Sequence, residues 1–196
     1  MTTGSKIYNL FMYPLEKARL MELRRQLIPM AEGTVLEVGT GTGVNLKYYH
    51  YDKIEKLYLS DLKVNDAVRK SNYLKNRAVE FLNESVEKLS LADKSIDTVV
   101  FTLVFCSVTN PLAGLSEIKR VLKDNGKIIF IEHVLPHDKR LKKMVNSTNH
   151  LWVKMANGCH INRETVKTIR EAGFTVIESI PGKTGIFASG LASKMT

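Results

Sequence analysis

Five apolar runs rich in β-branched and aromatic residues dominate the first two thirds of the chain: "TVLEV" (34–38), "KLYLSD" (56–61), "AVEFL" (78–82), "IDTVVFTLVF" (96–105) and "GKIIFIEHV" (126–134). Their near-continuous apolarity is that of strands covered on both faces, which is how parallel strands read. The stretches between them have helical spacing. The clearest is "NPLAGLSEIKRVLKDNG", with Asn110 as N-cap, Pro111 at the first helical position, Leu115, Ile118 and Leu122 on one face, and Gly126 beyond the end. Strands alternating with helices imply an α/β fold built on a parallel sheet. Farther on, "INRETVKTIREAGF" reads as a helix capped by Asn162, with Val166, Ile169 and Ala172 inward and Gly173 as its stop. Two strands follow, Phe174 to Ile180 and Gly185 to Ser193, joined by "PGKT". A connection that short makes the pair antiparallel, so the sheet is mixed, with one reversed strand near its edge.

The first strand runs into "LEVGTGTGVNLKYY", which places glycines at 39, 41 and 43. A glycine-rich turn that opens a helix lets backbone N–H groups approach a ligand, and the helix N-terminus favours an anionic group. A dinucleotide fingerprint, G-x-G-x-x-G, needs its third glycine at position 44, where this chain has Val44. Glu37 precedes the turn, and a carboxylate is a poor neighbour for a pyrophosphate but a good one for an ammonium group. The ligand that suits both signs is an amino-acid end. A plain tight turn is the competing reading. Asp61 closes the second run about 20 residues on, the distance at which an acidic residue accepts from a ribose diol in nucleotide-binding α/β folds. Its alternative is a loop carboxylate or a helix cap. An amino acid joined to a nucleoside is S-adenosylmethionine.

These segments together resemble the class I S-adenosylmethionine-dependent methyltransferases across nearly the whole chain. "VLEVGTGTG" resembles the family's first motif and "LYLSDL" its acidic second motif. "SVEKLSLADKSIDTVVFTLVFCSV" resembles the adenine loop and fourth strand, and "LSEIKRVLKDNGKIIFIEHV" the helix and strand after it. Within the class, "TLVFCSV", "EHV" and "GCHINRETVKTIREAGF" are most similar to the branch of phospholipid, ubiquinone-type and small thiol methyltransferases. The resemblance implies a Rossmann-like fold with a mostly parallel seven-stranded sheet, one antiparallel strand and helices on both faces. It also implies S-adenosylmethionine as cofactor and S-adenosylhomocysteine as product. Carried over residue by residue, Gly39, Thr40, Gly41 and Gly43 surround the methionine part and Glu37 helps hold its ammonium through water or backbone. Asp61 takes the ribose hydroxyls and Leu62 lies against the adenine. Ser85 stands where many relatives have an adenine-binding Asp, Val86 offers its backbone N–H, and Leu103 packs near the methionine chain.

A sulfonium methyl is electrophilic, so the protein's main task is to hold a nucleophile in line and exclude water. No dedicated catalytic residue is read from the motifs; His133 and His160 are the candidates, each with a structural alternative: His133 satisfying buried backbone, His160 serving the turn before Asn162. Substrate-facing positions are expected at the C-terminal ends of the strands: Cys106, Ser107 and Asn110 after the fourth, Glu132 and His133 at the end of the fifth. Cys106 reads as a small buried residue rather than a nucleophile. The N-terminal part contributes a helix from about Pro14 to Ile28 that lies on the domain, with Leu15, Ala18, Met21 and Ile28 along one flank. Tyr8, Phe11 and Tyr13 are pocket-lining candidates, the alternative being that they pack on the core.

The 196 residues suit a single methyltransferase domain, 1–30 forming a helical cap segment and 31–196 the catalytic core. The two cysteines show no metal-type spacing, so no metal site is expected, and a reducing cytoplasm is the expected location. No apolar run has the length of a membrane span. The net charge of +9 and the run "HDKRLKK" (137–143) suit an acidic partner, and with the apolar N-terminus they suit peripheral contact with a membrane surface. The expected function is methyl transfer to a small molecule or lipid head group. RNA methylation and non-catalytic cofactor binding are the alternatives; no aromatics interleave with the basic run and no RNA-binding motif is visible.

Overall fold

The computed structural model describes residues 19–156, 158–181 and 187–195. Seven strands form one sheet: β1 (Gly33–Val38), β2 (Ile54–Asp61), β3 (Val79–Asn83), β4 (Ile96–Thr102), β5 (Leu122–His133), β6 (Phe174–Pro181) and β7 (Phe187–Lys194), in the order β3-β2-β1-β4-β5-β7-β6. The first five are parallel to one another, while β7 runs antiparallel to both β5 and β6. The expected mixed sheet with one reversed strand is therefore present, that strand lying one place in from the edge.

Strand alternation divides the core between the two faces. Val99, Phe101, Ile128 and Phe130 pack on one side with Leu115, Ile118 and Ile169. These come from α3 (Pro111–Val121) and α5 (Thr165–Glu171). Val35, Leu57, Val100, Ile129 and Ile131 pack on the other with Leu20, Leu23, Leu27 and Val68, the last three from α1 (Met21–Leu27) and α2 (Asp66–Arg69). Both faces are thus covered, as the near-continuous apolar runs require. Each fully buried Leu, Ile or Phe contributes roughly 1.5–3 kcal/mol by leaving water.

Where element ends depart from the sequence reading, the backbone shows why. β4 stops at Thr102, three residues short of Phe105, because Leu103 turns to φ 57° and the next N–H groups leave the ladder. α3 starts as read, with Asn110 accepting from the Ala113 N–H at 3.1 Å and Pro111 in the first turn. It ends at Val121, so Leu122 and Gly126 belong to β5. The Arg120 and Val121 carbonyls are taken by the Lys94 and Ser95 N–H groups. α5 begins at Thr165 behind Glu164; Asn162 is not its cap but donates to Asn146 at 3.3 Å. Gly173 ends that helix at φ 84°, as expected. The glycine turn leads only into a short 3-10 segment, Val44–Tyr48. The expected N-terminal helix is seen as α1 followed by a 3-10 turn, Ile28–Met30, and its start near Pro14, with Leu15 and Ala18, lies outside the described residues. Tyr8, Phe11, Tyr13 and the "PGKT" connection also lie outside them. α4 (Lys139–Met155) completes the elements.

Candidate active site

One cavity of about 910 Å³ opens at the C-terminal ends of β1, β2 and β4. Open α/β sheets bind ligands there, where the strand order reverses. Gly39, Thr40 and Gly41 form one wall, Asp61 and Leu62 a second, Ser85 and Val86 a third, and Leu103 with Val104 the floor toward β4. Eight of the ten residues assigned to a cofactor from sequence are therefore brought together, and Glu37 and Gly43 are not on the wall.

The two missing residues act from behind it. Gly43 has φ 75°, and a Cβ there would come within 3.0 Å of Leu46 and Val68, so this glycine serves the packing of the turn. Glu37 is buried. Its carboxylate accepts from the Tyr49 hydroxyl at 2.7 Å and from Asn45 Nδ2 at 3.0 Å. Asn45 in turn accepts from Arg24 Nε at 2.8 Å, and both Asn45 and Arg24 line the cavity. Burial pushes the Glu37 carboxyl up to about 7, against the hydrogen bonds from Tyr49 and Asn45. Sequence reasoning found the carboxylate but missed these two partners. Arg24 sits within the apolar spacing of α1, between Leu23 and Leu27, where a buried cation has no periodic signature.

The other two glycines have different causes. At Gly39 (φ 67°) a Cβ would strike Val104 Cγ2, so the backbone of the turn and the floor of the cavity touch directly. At Gly41 (φ 54°) the nearest atom a Cβ would meet is 3.9 Å away, and the residue faces the cavity. Its N–H donates to Asp61 Oδ2 at 2.8 Å, which joins the glycine turn to the end of β2 and leaves the second carboxylate oxygen for a ligand.

Past β4 the chain is organised by Glu132, which is fully buried. Its carboxylate accepts from the N–H groups of Val104 at 2.7 Å, Phe105 at 3.0 Å and Cys106 at 3.3 Å. Burial pushes this carboxyl up to about 8, and the three donors oppose that shift. Glu132 therefore holds the turn that forms the floor instead of facing a substrate.

Besides Glu132, three candidates taken from strand ends, Asn110, Cys106 and His133, do not line the cavity, and neither does His160. Asn110 caps α3, and its N–H donates to Glu87. Cys106 is buried beneath the floor. His133 is buried and stacks on Phe187, with centroids 4.8 Å apart. His160 lies 3.4 Å from Asn149 through Nδ1 and donates its backbone N–H to the Cys106 carbonyl. Ser107 does line the cavity, and so does Cys159, which sequence reading left unassigned. Arg163 donates to the Phe105 and Val108 carbonyls, so the segment after α4 is tied against the turn after β4. That tie sets Cys159 Sγ at 3.2 Å from Cys106 Sγ and 3.5 Å from His133 Nδ1. The hydrogen bond between the two sulfurs pulls the Cys159 thiol down to about 4, and the same contact, with burial, pushes Cys106 up.

Comparison with known proteins bears on the cavity. Residues 36–130 match the model of a methyltransferase domain. A thiol S-methyltransferase, TMT1B of Rattus norvegicus, is 34% identical over 158 residues, covering 75% of this chain and 62% of that protein. The phosphatidylethanolamine N-methyltransferase of Cereibacter sphaeroides is 30% identical over 103 residues, 52% of this chain and 51% of that one. Among solved structures, an S-adenosylmethionine-dependent methyltransferase from Aquifex aeolicus superposes with a TM-score of 0.64 at 25% identity, over 100% of both chains. The chain spans about three fifths of the length of the first curated relatives it matches, 62% and 61%.

Proposed function

We propose that the chain is an S-adenosylmethionine-dependent methyltransferase and that it transfers a methyl group from that cofactor to a small thiol or a lipid head group. One observation carries the reading: the glycine turn, Asp61 and the Ser85–Val86 wall share a single cavity with the apolar floor at Leu103 and Val104. The residues fit the cofactor. Gly41 presents bare backbone to the cavity where nothing in the fold itself fills the space, and Asp61 has an oxygen to spare beside it. When bound, S-adenosylmethionine supplies an electrophilic methyl on a sulfonium.

The chain's own part is to bind, orient and exclude water. Asp61 and Leu62 would hold the nucleoside half, and Gly39, Thr40 and Gly41 the amino-acid half. Asn45 and Arg24, backed by Glu37, supply the polar end of that wall. Leu103, Val104 and Ala156 supply an apolar chamber in which a desolvated nucleophile is brought into line. A thiolate needs no general base once ionised, which suits a wall carrying neither His133 nor His160. The sequence similarity to thiol and phosphatidylethanolamine methyltransferases supports the two acceptor classes.

Calorimetry with S-adenosylmethionine, followed by a labelled-methyl screen over thiols, amines, quinols and phospholipids, tests the reading. Asp61→Ala removes hydrogen bonds from a charged acceptor worth about 1.5–3 kcal/mol, so cofactor affinity should fall roughly tenfold to a hundredfold. Unchanged affinity in both Asp61→Ala and Gly41→Val, or no binding at all, refutes it.

A further inference from the structure

Cys106, His133 and Cys159 come from three separate parts of the chain, and their two sulfurs and an imidazole nitrogen lie within 4.8 Å of one another, all three residues buried. We propose that this cluster is a binding site for a zinc-type divalent cation, with its fourth coordination position open to the cavity. Tetrahedral zinc at about 2.3 Å from sulfur and 2.0–2.1 Å from nitrogen sets its donors roughly 3.6–3.8 Å apart. The Cys159–His133 separation of 3.5 Å already matches. The sulfurs, at 3.2 Å, need to part by about half an ångström, a side-chain adjustment.

Charge balance favours the site. Two thiolates and a neutral imidazole neutralise a divalent ion, so the loaded cluster is uncharged in its buried position, and whatever proton either sulfur still carries goes to solvent as the ion binds. Glu132, the nearby carboxylate, is taken up by three backbone N–H groups and is not a competing ligand. Trp152 packs on the cluster, and its Nε1, buried with no oxygen or nitrogen partner, suits a metal-bound sulfur. Cys159 is also on the cavity wall, so the position left by three protein ligands faces the chamber, the arrangement of zinc sites that take up an exogenous group. That group is water or, if the methyl-transfer reading holds, an acceptor thiol bound as its thiolate.

The chain has only two cysteines, both in this cluster, so a thiol count reads this site alone. Reduced protein, equilibrated with zinc and passed through a desalting column, should retain about one ion per chain by elemental analysis. Both thiols should then resist alkylation until a chelator is added. Cys159→Ser and, in case that variant misfolds, Cys106→Ala should each lose at least about tenfold in zinc affinity with the circular dichroism of the parent. Cobalt in place of zinc should show thiolate-to-metal absorption that shifts when a small thiol is added. No retained metal, zinc that leaves the thiols open to alkylation, or equal retention in both folded variants overturns the site; a Cys106–Cys159 disulfide that forms in air with zinc present does so too. A cobalt spectrum indifferent to thiol overturns the acceptor role alone, and none of these readouts depends on methyl transfer.

Discussion

Glu37 shows how a residue can be read correctly and placed wrongly. Its position ahead of the glycine turn marked it as a carboxylate for an ammonium group, yet Asn45 and Arg24 stand between it and the cavity. Sequence gives residue type and spacing; it does not give depth. The burial has a measurable consequence. A carboxyl raised from 4.5 to about 7 in the native state makes that state hold more protons than the unfolded chain between those values. Its contribution to stability is therefore complete below pH 4.5 and is lost as pH rises through 7, a difference of about 3 kcal/mol. Glu37→Gln should flatten this part of a melting-temperature profile against pH, leaving the separate slope of Glu132, whose carboxyl is pushed up to about 8. A parental profile in Glu37→Gln would show that Glu37 is not the titrating group. The glycines divide in the same way: Gly39 and Gly43 are fixed by neighbours that a Cβ would strike, and Gly41 alone is bare for the cavity's sake. Three identical letters in one motif answer two different demands.

At the scale of elements, the strands and α3 were legible because apolar period, cap and proline all agree there. The end of β4 was not legible, since "TLVF" continues the apolar run and only a carboxylate 26–28 residues farther on makes the chain turn. Glu132 welds β5 to the loop after β4. Glu132→Ala would leave three N–H donors unpaired, two of them buried and worth about 1–3 kcal/mol each, so a loss of several kcal/mol is expected in denaturant unfolding. Cofactor affinity should fall with it, because Leu103 and Val104 form the cavity floor. Stability within about 1 kcal/mol of the parent would show that the turn holds without Glu132. The cap of α5 was misread for a related reason: Asn162 is a good cap by type, but α4 offers its side chain a partner in Asn146.

At the scale of the whole molecule, α4 is, of the described α-helices, the one least absorbed by the core. Val145 is its one buried residue, whereas Leu141, Met144, Leu151 and Met155 are exposed at spacings that place them on one stripe, with Arg140, Lys143 and Lys154 along one side of it. An apolar stripe bordered by cations suits an anionic lipid surface, and the helix ends at Ala156, on the cavity wall. No helix among the described residues is long and apolar enough to cross a membrane. Sedimentation with vesicles containing phosphatidylserine should carry the protein down at low salt and release it as salt is raised. Met144→Glu with Leu151→Glu should weaken that binding, and equal sedimentation of variant and parent would exclude this helix as the contact. The α/β architecture was available to sequence reasoning because each run declares its own burial. The Cys106–His133–Cys159 cluster was not, because its members gather only when the segment after α4 is tied to the turn after β4.

The placement of β7 between β5 and β6 also orders events during synthesis. The five parallel strands can pair as they leave the ribosome, because each neighbour in the sheet lies within the first 133 residues. β6 emerges next, but its ladder partner is made after it, so its backbone groups stay unsatisfied until residues 187–194 arrive and close both gaps at once. The last of these seven strands to be made is thus a keystone: until it pairs, β5 is an open edge and β6 has no neighbour in the sheet.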